Sequence, residues 1–199
     1  VVGVIVLRKS QGDDINDDIN LGTLSAILTK PINPQMFWFF RDSSRRLLHL
    51  LIAVATLVIF FFLFSSKLVL NFTLSNLTWF VLFLCLAIVL HYLLYYTLAL
   101  LAFWFDQTWG ERFVVNVVSE IASGLIIPLS IFPLVWQDFF LSLPFKHFVF
   151  TPLNSLLGNF SSAELLQNLY SVILWIISFW LLSILMWRKG IRSYNAEGQ

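Results

Sequence analysis

The sequence predicts an all-α membrane protein, a bundle of helices that crosses the bilayer several times. Hydrophobic residues make up 59% of the 199 residues and charged residues only 12%, whereas a soluble domain has about 45–50% and about 25%. The charges lie almost wholly outside four long apolar runs. These runs are continuous, without the alternation of a β-barrel strand, and therefore favour helices.

Composition also excludes several classes of protein. The apolar excess excludes a disordered chain and an ordinary soluble domain. The single cysteine, Cys85, excludes a disulfide scaffold and a cysteine-based zinc cluster. A formal net charge of +1 gives no indication of a nucleic-acid-binding surface.

Four segments reach the roughly 20 apolar residues that span a bilayer. The chain starts at Val1 inside a further apolar stretch, and we expect that stretch to be the stub of a truncated N-terminal part. We treat residues 1–199 as one transmembrane domain with four full spans: 47–70, 77–103, 113–135 and 165–187.

Orientation follows from the basic residues, which concentrate before the first and after the fourth predicted span. Since loops rich in Lys and Arg stay in the cytoplasm, we place both ends there, in a multi-pass protein of the cell membrane. The basic residues are Arg41, Arg45, Arg46, Arg188, Lys189 and Arg192. Tryptophans near the predicted span ends fit an interfacial aromatic belt: Trp38, Trp79, Trp104, Trp109, Trp136 and Trp187.

The segment 13–46 is predicted to be cytoplasmic and to begin with a short amphipathic helix. Asp17, Asp18 and Asn20 are candidate N-caps for this helix, and Pro31 would end it. One apolar stripe at helical spacing follows the caps: Leu21, Leu24, Ile27 and Leu28.

A second helix is predicted to start at Asn33-Pro34, with a capping residue followed by proline at the first helical position. This helix would lie in the membrane interface and lead into the first span. Later, the apolar segment 136–162 is interrupted by Pro144, Pro152 and Gly158. Its pieces are too short to cross, so we expect a re-entrant hairpin or surface-lying helices on the outer side.

Two titratable side chains fall inside predicted spans. His91 is either a proton relay or catalytic base, or a histidine hydrogen-bonded between packed helices. Glu120 lies near the cytoplasmic interface, pairs with a cation, or faces a polar pathway, because a charge at the bilayer centre is costly. The three histidines lie on different segments, which predicts no metal site.

Several stretches together resemble one family, the type 2 ABC transporter permeases, in the subgroup of viologen-exporter-like and daunorubicin-resistance-like permeases. The likeness covers about Asp13 to Gly198, while residues 8–12 match nothing in the pattern. The stretches are 17–24 (DDINLGTL), 28–34 (LTKPINP), 109–113 (WGERF), 123–129 (SGLIIPL) and 187–196 (WRKGIRSYNA).

This resemblance implies a permease subunit that has no catalytic site and no cofactor of its own. ATP would be bound by separate cytoplasmic ABC ATPase subunits, and a second permease, identical or different, would complete the transporter. The segment after the family's second span carries a coupling helix, which places ATPase-coupling residues here at Gly22, Leu24, Leu28, Lys30 and Pro31.

Three functions remain open from the sequence. The first is the permease of an ATP-driven exporter, whose cargo would be amphiphilic or hydrophobic because phenylalanine and leucine are abundant. The second is a membrane-embedded enzyme using His91 or Glu120. The third is a membrane scaffold that transports nothing.

Overall fold

A computed structural model describes residues 11–44, 73–105 and 109–194, and all regular secondary structure in these ranges is helical. The α-helices are α1 (Gln11–Asn20), α2 (Leu24–Leu28), α3 (34–44), α4 (Leu74–Ala99), α5 (Trp109–Ala122), α6 (Leu134–Ser142), α7 (Phe150–Leu157) and α8 (Ser162–Ser193). Three short 3-10 helices are Leu100–Phe103, Leu129–Ile131 and Pro144–His147.

Two of these helices are long and apolar enough to cross a membrane. They are α4 with its 3-10 continuation, Leu74–Phe103, and α8, Ser162–Ser193, of 30 and 32 residues. They coincide with the predicted spans 77–103 and 165–187. The predicted span 47–70 lies outside the described residues.

The two long helices lie side by side and run in the same direction. Near their starts, Gly158 approaches the side chain of Asn76. At their ends, the Phe103 ring packs edge-on against Trp187, with ring centroids 5.7 Å apart. Because α4 and α8 are parallel, the chain between them has to return to the side from which α4 starts.

The return passage is not one continuous helix over 113–135, and a membrane crossing by this segment stays a prediction. Helix α5 ends at Ala122 after 14 residues, a length of about 21 Å, short of the roughly 30 Å hydrocarbon core. Gly124 then adopts a positive φ of 78°. Pro128 and Pro133, which lack an N–H donor, keep the following backbone from resuming one long helix.

The segment 136–162 consists of short helical pieces, none long enough to span a bilayer. Helix α6 has no buried residue, whereas the following 3-10 helix and α7 bury Pro144, His147 and Thr151. Its position relative to the membrane stays a prediction. Helix α8 begins with a capping box, in which the Ser161 and Glu164 side chains each bond the other residue's backbone.

Two apolar clusters hold the bundle together, one at each half of α4. The cluster at the first half joins α4 to α8 and to the residues just before α7, and includes Phe83, Leu90, Phe148 and Val172. The cluster at the second half joins α4 to α1, α2 and α3 and includes Ile15, Leu24, Trp38, Tyr96 and Phe103. The amino-terminal segment is thus packed on the end of α4.

Replacing Gly190 by alanine should loosen the contact between α4 and α8. Gly190 is buried, and a Cβ atom there would overlap the Phe103 ring. Overpacking of this kind typically costs about 1–3 kcal/mol, so Gly190→Ala should lower the thermal unfolding temperature in detergent. Gly110→Ala is the matched control, because its Cβ would meet no atom within 4 Å. Equal stability of the two variants would contradict the close approach.

Candidate functional site

The candidate site is the segment formed by α1, α2 and α3, here called the coupling segment. Helix α1 buries Ile15 and Ile19, four residues apart on one face, which is the spacing of a helix face that packs on a core. Helix α3 starts as predicted: the Asn33 Oδ1 accepts a hydrogen bond of 2.9 Å from the Gln35 N–H, and Pro34 occupies the first helical position.

Asp18 is the central polar residue of the coupling segment. Its Oδ2 accepts a hydrogen bond from Trp38 Nε1 at 2.8 Å and forms an ion pair with Arg41 at 2.9 Å. Its Oδ1 accepts a hydrogen bond from the Thr23 hydroxyl at 3.1 Å. One carboxylate therefore joins the end of α1, the turn before α2 and the middle of α3.

The predicted capping role of Asp17, Asp18 and Asn20 is wrong. These residues form the last turn of α1, and the residue at the N-cap position of α2 is Thr23. Asp and Asn are residue types that commonly cap helices. The apolar pattern of α1, which comes before them, is weak, because α1 has only two buried apolar residues in the part whose burial is described.

Trp38 joins α3 to the membrane-spanning helices. It is only 1% exposed, so it is a core residue and not the interfacial belt residue that its position predicted. Its ring centroid lies 5.9 Å from those of both Tyr96 and Trp187. Through Trp38, the Asp18 carboxylate is one contact away from both α4 and α8.

The predicted apolar stripe is divided between the core and the surface. Leu24 is fully buried and Ile27 is 7% exposed, whereas Leu21 is 73% and Leu28 41% exposed. Helix α2 has only five residues, and it places Leu24 and Ile27 in the apolar cluster at the second half of α4. Leu24 thus anchors the segment in the bundle, and its role in ATPase coupling stays a prediction.

The exposed part of the segment, here called the tip, lies on either side of α2. Gly22 has a φ of 75°, a conformation open mainly to glycine, and it lets the chain turn from α1 into α2. The tip comprises Leu21, Leu28, Lys30, Pro31 and Ile32, all exposed. It presents apolar side chains together with one cation at a surface fixed to the bundle.

Replacing Asp18 by asparagine should loosen the coupling segment. The amide keeps the shape but removes the charge that pairs with Arg41 and strengthens the Trp38 bond, a loss of about 1–3 kcal/mol for charge-assisted bonds. We expect faster tryptic cleavage after Arg41 and faster amide exchange in α2 and α3.

Asp17→Asn is the control for this experiment, because the Asp17 side chain is exposed and makes no side-chain hydrogen bond among the described residues. Equal proteolysis and exchange rates in the two variants would show that the Asp18 carboxylate does not hold the segment.

The two titratable residues predicted inside spans lie in one polar network between α4 and α5. His91 is stacked on Tyr95, with ring centroids 4.5 Å apart. Tyr95 Oη donates to Asn116 Oδ1 at 3.1 Å, and the Asn116 amide donates to Glu120 Oε1 at 2.9 Å. His91 is 1% exposed and also packs against Phe148. This surrounding is that of a helix-packing residue, and a pathway role stays a prediction.

A second buried polar group, which the sequence did not single out, joins the segment 144–157 to α8. His147 Nε2 shares a hydrogen bond with Ser171 Oγ at 3.0 Å, and its Nδ1 shares one with Thr151 Oγ1 at 3.2 Å. Burial, together with the neighbouring Lys146, lowers the pKa of His147 to about 3. Both ring nitrogens of His147 are engaged by hydroxyl groups, so the group links the segment 144–157 to α8.

The low pKa of His147 predicts acid sensitivity. Below pH 6.5, the ordinary pKa of histidine, the His147 side chain binds a proton in the unfolded chain. In the native state it stays neutral down to about pH 3. Native stability should therefore fall as pH drops from 6.5 towards 3. Unfolding of His147→Asn, which has no proton to bind, should show a shallower pH dependence in detergent. Identical slopes for both proteins would contradict the buried neutral histidine.

The functional residues that the sequence missed are Asp18 as an ion-pair partner, Trp38 as a core residue, and His147. Their roles depend on contacts with residues far along the chain: Asp18 and Arg41 are 23 positions apart, and His147 and Ser171 are 24 apart. Among the described residues, no three His, Cys, Asp or Glu side chains lie close enough to hold a metal ion.

The described residues form an all-helical structure in which two helices are long and apolar enough to cross a membrane. A family model described as "ABC-2 family transporter protein" matches residues 4–198. The chain belongs to this family and is a permease of an ABC transporter, a transport component and not a classical enzyme. No curated protein and no solved structure matches the chain.

Proposed function

We propose that this chain is the membrane-spanning subunit of an ABC exporter that couples ATP hydrolysis on a separate ATPase chain to efflux of an amphiphilic or hydrophobic compound. Family membership implies association with ABC ATPase subunits. The observation that carries the proposal is the coupling segment, an exposed tip joined by Asp18 to the spanning helices.

The tip has the chemistry of a docking surface. Leu21 and Leu28 are exposed apolar side chains beside the cation of Lys30. Exposed apolar groups on an anchored turn mark an interaction site. Because α2 is short and packed on the rest of the coupling segment, it can move only together with that segment. Gly22 and Pro31 shape the turns on either side of α2.

The contacts behind the tip offer a route for force into the membrane. Asp18 bonds Trp38, and Trp38 packs on Trp187 of α8 and Tyr96 of α4. Tyr92 adds a second attachment, because its hydroxyl donates to the Gln35 carbonyl oxygen at 2.7 Å. A displacement of the tip by the ATPase would therefore shift the ends of both long helices.

A second permease subunit and a path between the two subunits complete the proposal. Only 11% of the apolar window of α8 is buried, and α6 buries no residue. Such surfaces need lipid or another protein to cover them. The likeness of the 17–34 and 187–196 stretches to viologen- and daunorubicin-type permeases supports the subgroup and an amphiphilic cargo.

The decisive experiment replaces the exposed leucines of the tip. Leu21→Ser with Leu28→Ser should leave the permease folded, because both side chains are exposed, but should weaken co-purification with the cognate ABC ATPase at least tenfold. The loss of two interface leucines removes about 3–6 kcal/mol of apolar burial at most. ATP hydrolysis in nanodiscs should lose its response to the permease.

The matched control is Leu153→Ser with Leu157→Ser on α7, two leucines that are 41% and 53% exposed. These lie at the opposite half of α4 and should leave ATPase binding unchanged. Undiminished ATPase binding by the tip variant, or an equal loss in the control, would reject the docking role.

A further inference from the structure

An open groove of about 740 Å³ lies between α3, α4 and α8. Its walls are mainly apolar and aromatic, with Val89 and Tyr92 on α4, Ile176 and Trp180 on α8, and Phe39 on α3. This volume falls in the range of about 300–1,000 Å³ that small-molecule sites occupy. None of the five tip residues lines the groove.

The groove runs along the second half of the membrane-spanning pair. From Ile176 to Arg188, α8 contributes 12 residues of rise, about 18 Å. One leaflet of hydrocarbon is roughly 15 Å deep, half of a 30 Å core. A single acyl chain lying along α8 would therefore fill the groove from the mid-membrane to its end.

The groove also carries polar and positively charged side chains. Arg188, Asn33 and Gln35 line it, and none of its described lining residues is acidic. Arg188 makes no ion pair with any residue of the described ranges, whereas Arg41 is paired with Asp18. Trp187 and Tyr96, which also line the groove, are of the type found at membrane interfaces.

We propose that this groove binds one anionic phospholipid of the leaflet on the side of the basic residues, with its phosphate at Arg188 and one acyl chain between α4 and α8. The Arg188 guanidinium donates to the phosphate oxygens, the Asn33 and Gln35 amides supply further donors, and Trp180 covers the chain. A zwitterionic lipid lacks the net charge that Arg188 complements.

The binding does not depend on ATPase docking, so it is testable on the permease alone. We would reconstitute the full chain in nanodiscs with a small fraction of phosphatidylglycerol or phosphatidylcholine carrying brominated acyl chains, and measure quenching of tryptophan fluorescence. Brominated phosphatidylglycerol should quench at lower mole fraction than brominated phosphatidylcholine. Trp180→Phe should remove most of the quenching that differs between the two lipids.

Arg188→Gln should reduce the preference for phosphatidylglycerol roughly fivefold, the effect expected of one basic residue near a charged headgroup. Lys189→Gln is the matched control, because Lys189 is adjacent, exposed and outside the groove, and it should keep the preference. Circular dichroism and size-exclusion profiles of both variants verify folding.

Three results would overturn the proposal. Equal quenching by the two lipids would remove the headgroup preference, and an unchanged preference in Arg188→Gln would remove the assigned residue. Loss of the difference on adding inorganic phosphate alone would show an anion site without a lipid chain. Quenching that is unchanged in the Trp180→Phe variant would show that protein, and not lipid, fills the groove.

Discussion

The coupling segment depends on one carboxylate. Asp18 pairs with Arg41 and accepts a hydrogen bond from the buried Trp38, and in this way it joins α1 to α3. Helix α2 has five residues, too few to be stable by itself, since isolated helices are marginal below about 12–15 residues. Its position is therefore set by its neighbours, through the buried Leu24 and through the turn that Thr23 fixes on Asp18.

The membrane-spanning helices depend on a different interaction, the parallel contact between α4 and α8. Their ends meet where Gly190 lets the Phe103 ring approach the α8 backbone, and the same ring contacts Trp187. Trp187 also contacts Trp38. The aromatic cluster at this end therefore belongs to both the spanning pair and the coupling segment, which is the physical basis for proposing that the two move together.

Much of the fold followed from hydropathy alone. Continuous apolar runs predicted α4 and α8, since length and composition suffice for a helix in lipid, and Asn33-Pro34 predicted the start of α3 from local chemistry. The run 113–135 is not one continuous helix, because Gly124 and two prolines interrupt the backbone, and hydropathy does not take backbone conformation into account. The amphipathic stripe predicted an apolar face, but only tertiary packing decides that Leu24 is buried while Leu28 is exposed. Pairs more than 20 residues apart, such as Asp18 with Arg41, leave no local pattern.

The central claim is that the tip and the end of α8 form one rigid unit. It is tested most directly by the distance between spin labels at Ala26→Cys in α2 and Arg192→Cys in α8, both at exposed positions, in a Cys85→Ser background and in complex with the cognate ATPase. The account predicts one narrow distance distribution that stays the same with and without ATP. A broad distribution, or a distance that changes with nucleotide, would contradict it.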